Sequence, residues 1–60
     1  MRDNIVTITL EDMRTNEITS MQYESYERAD DAALRFCHAH SKIFIEIRNK
    51  AGLLLNWYAA

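Results

Sequence analysis

Sixty residues allow one domain, spanning 1–60, and no second; a domain of this size sits near the lower limit of independent stability. A hydrophobic content of 48% with no proline excludes a disordered or linker-rich chain. Seven basic and nine acidic side chains leave a formal charge of -2, which carries no signature of a nucleic-acid or membrane binder.

The single cysteine, Cys37, excludes an intrachain disulfide and a multi-cysteine zinc site. Oligomerisation remains as the common support for so small a core. The leading Met1-Arg2-Asp3-Asn4 runs into an alternating stretch rather than a continuous apolar segment, so no targeting segment is expected. No run approaches the roughly twenty apolar residues of a membrane span. Together with the lone cysteine this leads to the expectation of a reducing, cytoplasmic compartment.

Residues 5–10 predict a strand: Val6, Ile8 and Leu10 alternate with Thr7 and Thr9, and most are β-branched. Ile5 falls on the threonine face. A polar stretch follows, with Thr15-Asn16 as the turn apex because asparagine tolerates left-handed geometry. A second strand is expected over residues 17–23. Ile18 and Met21 are out of phase there, so either a bulge intervenes or one of them points outward.

Ser25 is placed to cap a helix from Tyr26 to about His40. Tyr26, Ala29, Ala32, Ala33, Phe36, Cys37 and His40 form its apolar stripe. Three alanines keep that stripe thin and let the helix approach a sheet closely. Leu34 falls outside it. Residues 42–48 predict a strand with Ile43, Ile45 and Ile47 on one face and Phe44, Glu46 and Arg48 on the other. Asn49-Lys50-Ala51-Gly52 reads as a hairpin connection, with Gly52 suited to a positive φ. The last strand, residues 53–58, is expected to turn Leu53, Leu55 and Trp57 to the core and Leu54, Asn56 and Tyr58 outward.

The expected architecture is α+β, in the order β-β-α-β-β: an antiparallel sheet of about four strands with one helix packed on one face. One helix covers one face of such a sheet, which leaves Ile5, Phe44, Leu54 and Tyr58 as an exposed apolar patch. Glu46 and Arg48 beside them would supply specificity. Self-association through that face or through a free sheet edge, or docking of an unidentified protein, is the function these residues suggest.

The chemical alternatives are weaker. Cys37, His38 and His40 include zinc and copper ligand types, but on a helix His38 points away from the other two and no second cluster completes a site. A thiol catalyst at Cys37 would meet the negative end of the helix dipole, which raises a thiol pKa. No metal, cofactor or catalytic residue is assigned, and a non-enzymatic protein is expected.

Glu24, Glu27, Asp30 and Asp31 make an acidic helix start, either solvated or a docking surface for a basic partner. Arg35, Lys42, Arg48 and Lys50 with Phe44, Trp57 and Tyr58 are the basis of an alternative, a weak nucleic-acid-binding regulator, which requires the basic residues to cluster in space. In size and in lacking catalytic features the chain resembles small bacterial or phage accessory proteins, a likeness of type that assigns no residue a role.

Overall fold

A computed structural model describes residues 5–60, and residues 1–4, on which the expectation about targeting rests, lie outside it. The chain forms β1 (Val6–Asp12), β2 (Glu17–Tyr23), α1 (Tyr26–Ala39), β3 (Ile43–Arg48) and β4 (Leu54–Ala59). This is the expected α+β order. The sheet runs β2-β1-β3-β4 with every neighbouring pair antiparallel. β2 and β3 therefore run parallel with β1 between them, and α1 is the crossover that joins them.

Each connection has a local chemical cause. The β1–β2 turn closes with the N–H groups of Thr15 and Asn16 on Asp12 O, 3.3 and 2.7 Å, and Asn16 takes φ 64°. The Arg14 backbone N–H donates to Asp12 Oδ1 at 2.9 Å, and that bond is the chief cause holding the Asp12 carboxyl below its usual range. Ser25 is the extended N-cap of α1, its hydroxyl accepting from Arg28 N at 3.2 Å.

No glycine ends the helix. His40 leaves in extended backbone and Lys42 turns the chain at φ 59°, a left-handed conformation that costs an L-residue strain. In the β3–β4 connection Asn49 organises the loop: its Oδ1 accepts from Ala51 N and Leu53 N, each 2.9 Å, while Gly52 supplies φ 90°.

The core lies between the sheet and α1. Val6, Ile8, Ile43, Ile45 and Ile47 come from the two central strands, and Ala29 and Ala33 from the helix, both with no exposed surface. Methyl-sized side chains at those two positions let the helix backbone sit close to the isoleucines. Leu10, Met21, Tyr23, Ala32, Phe36, Cys37 and Tyr58 pack around this centre.

β2 carries no bulge: Met21 opposes Ile8 on the core face and Ile18 opposes Glu11 on the outer face, 64% exposed. β4 differs from expectation. Tyr58 opposes Ile45 and Asn56 opposes Ile47, so these two face the helix, whereas Trp57 opposes Glu46 on the outer face. A bulge at Ile47/Arg48 then shifts the register so that Leu54 opposes Arg48, outward. Apolar content alone favoured burying Trp57. The ladder to β3 dictates the opposite, because residues opposed across a ladder share a face and Ile45 is fixed in the core.

Candidate protein-interaction face

The face of the sheet away from α1 is built in rows across the strands. Ile18, Glu11, Phe44 and Ala59 form one row; Ser20, Thr9, Glu46 and Trp57 the next; Gln22, Thr7, Arg48 and Leu54 the third. The β1–β2 half is mainly polar and the β3–β4 half carries the large apolar groups. Phe44 and Trp57 sit in adjacent rows on adjacent strands, which brings their rings to a centroid distance of 5.9 Å, tilted by 38°. Trp57 remains 55% exposed and Leu54 40%.

Arg48, opposite Leu54 in the third row, is held in one orientation. Its Nη2 lies 3.2 Å from Glu46 Oε1 and its Nη1 donates to Gly52 O at 3.0 Å. An exposed pair of this kind adds little stability, but it fixes a charged fork beside the aromatic pair.

Of the residues expected on this face, Phe44, Glu46, Arg48 and Leu54 are there. Ile5 is not beside Phe44: it precedes β1 at the opposite end of the sheet, where it lines an open depression of about 640 Å³ with Ser25, Tyr26, Asn49, Lys50 and Leu55. Tyr58 is on the other face altogether. Its hydroxyl donates to Asp30 Oδ1 and accepts from Asn56 Nδ2 at 3.2 Å. Trp57 and Ile18 lie on this face as well. The sequence signal for Ile18 was its being out of phase with Met21, and for Trp57 there was none in the strand itself.

The acidic helix start does not present four carboxylates together. Asp30 turns toward the sheet to accept from Tyr58 and, at 3.4 Å, from Tyr26. Asp31 pairs with Arg35 at 3.1 Å, while Glu24 and Glu27 are exposed. The Tyr58 phenol is pushed up to about 12, first by its hydrogen bond to Asp30.

Nor do the basic residues gather. Arg35 projects from the helix with its side chain 80% exposed, Arg48 lies on the outer sheet face, and Lys42 and Lys50 flank opposite ends of β3. Cys37 packs against the core and burial raises its thiol pKa. His40 caps the helix, its ring 6.4 Å from that of Phe36.

Among the described residues no group of three or more His, Cys, Asp or Glu is placed to hold a metal ion, and no helix is long and apolar enough to cross a membrane. Comparison with protein-family models, with curated proteins and with solved structures finds no match to this chain.

Proposed function

We propose that this chain is a small, non-enzymatic, cytoplasmic interaction protein that works by covering a protein surface with the outer face of its sheet, and that it forms a homodimer through that face. The observation that carries this is the Phe44–Trp57 pair, two large rings on a sheet face that the single helix leaves uncovered. An exposed tryptophan on a half-buried phenylalanine, with an oriented arginine on the same face, offers the residue types that dominate binding energy at protein interfaces. A core of seven buried residues among those described gives such a chain a further reason to bury that face against a partner.

Light scattering on purified protein at low and high salt tests this. A dimer insensitive to salt, converted to monomer by Phe44→Glu, is the expected result, since Phe44 faces away from the core; circular dichroism establishes that the variant stays folded with Glu11 opposite the new carboxylate. A wild-type protein that stays monomeric would reject self-association, and a Phe44→Glu variant with unchanged mass would reject this face.

A further inference from the structure

The free edge of β4 lacks the usual protection of an edge strand. Residues 53–60 contain no charged side chain and no proline, and apart from the bulge near its start β4 carries none of the features that keep an edge from adding another strand. The hydrogen-bond phase shows which groups this edge offers. Ile43 and Ala60 exchange both backbone bonds, 3.1 and 3.0 Å. By alternation Ile45–Tyr58 and Ile47–Asn56 are the other bonded pairs, and Trp57 and Ala59 point their N–H and C=O away from β3.

The outward N–H of Trp57 is nevertheless taken. It donates to Oδ1 of Asn56, the preceding residue, at 2.8 Å. The Asn56 amide is itself held in place: its Nδ2 donates to the hydroxyls of Tyr26 and Tyr58, 3.0 and 3.2 Å, and both tyrosines donate to Asp30 on α1. A chain of side-chain hydrogen bonds thus runs from the helix to the middle of the free edge.

We propose that the β4 edge is a latent strand-pairing site for β4 of a second copy, and that Asn56 keeps it closed by occupying the Trp57 N–H. The occupant follows from self-complementarity. An uncharged strand meets no repulsion from its own copy, and the two-fold antiparallel arrangement is available to any identical pair. In such a continued sheet opposed residues share a face, so Trp57 stands opposite Trp57 or Ala59 of the other copy. Both registers require the Trp57 N–H, the group that Asn56 holds.

The test is amide hydrogen exchange at Trp57 with sedimentation velocity, comparing wild type with Asn56→Ala. At a dilution where the Asn56→Ala variant still has the wild-type mass, its Trp57 amide is expected to exchange roughly five-fold faster than in wild type, the net effect of losing one exposed hydrogen bond. That variant is also expected to reach a higher mass than wild type as concentration rises. Adding Ala59→Pro should return the mass to the wild-type curve, because that proline removes an outward donor without touching the ladder to β3.

A Trp57 amide unprotected in the wild type would overturn the proposal, and needs no variant to fold. So would an Asn56→Ala mass curve that superimposes on wild type, or an increase that Ala59→Pro leaves in place. Each comparison is made against the wild-type curve, so its outcome is independent of whether the sheet face itself associates.

Discussion

Tyr58 shows how one side chain's surroundings become a property of the protein. Its hydrogen bond to the Asp30 carboxylate favours the protonated phenol and raises the pKa to about 12. Below the unfolded value near pH 10 both states hold the proton, and the contribution to stability is fully present. Above it the unfolded chain releases the proton while the native chain retains it, so stability falls as pH rises and the contribution is lost through about pH 12. Absorbance titration should find a tyrosine step near pH 12, and Tyr58→Phe should remove both that step and the associated alkaline loss of stability.

Lys42 is a residue-scale feature of another kind. Its φ of 59° carries the strain of a left-handed L-residue. Lys42→Gly is expected to raise stability by about 0.5 kcal/mol, the relief of that strain less the entropy that glycine loses on folding. Lys42→Val should lower it, and denaturant melts of the pair check the sign.

At the scale of the element, α1 combines a sound start with a thin face. Ser25 caps it, and Ser25→Ala is expected to cost about 1 kcal/mol in a urea melt. Ala29 and Ala33 have no exposed surface and belong to one buried cluster with Val6, Ile8 and the isoleucines of β3. Ala33→Leu would force bulk into that cluster between the helix and the sheet, a loss of about 1–3 kcal/mol. The same alanine-to-leucine change at the exposed Ala39 of α1 should be nearly neutral, so the two together separate packing from helix propensity. The alanine stripe in the sequence indicates this close approach directly. The inward turn of Asp30 is not legible there, because it depends on Tyr58 arriving from a strand twenty-eight residues away.

For the molecule as a whole, a 60-residue chain has about 3–9 kcal/mol of stability to lose. Truncation of a central isoleucine, Ile45→Ala, costs about 2–5 kcal/mol, and is expected to leave little folded protein by circular dichroism at 37 °C. If the outer face closes on a second copy, association adds to this small reserve, and the thermal midpoint should rise with protein concentration. In Phe44→Glu the midpoint should be independent of concentration. Calorimetry over a hundred-fold dilution distinguishes the two.

The sequence by itself determined what depends on local periodicity and local backbone chemistry. Alternating isoleucines specify β3, the alanine stripe and Ser25 specify α1, and Asn16 and Gly52 mark turns that need positive φ. It also located Phe44, Glu46 and Arg48 on the open face, since β3 is central and its alternation is unambiguous. Strand order, the facing of β4 and the partners of Asp30 were decided only in the tertiary structure. β4 is an edge strand beyond a bulge, apolar on both faces, so its own pattern does not choose a side. The choice came from the hydrogen-bonded ladder that sets Tyr58 opposite Ile45, and from a helix whose Asp30 can accept the phenol once it arrives there.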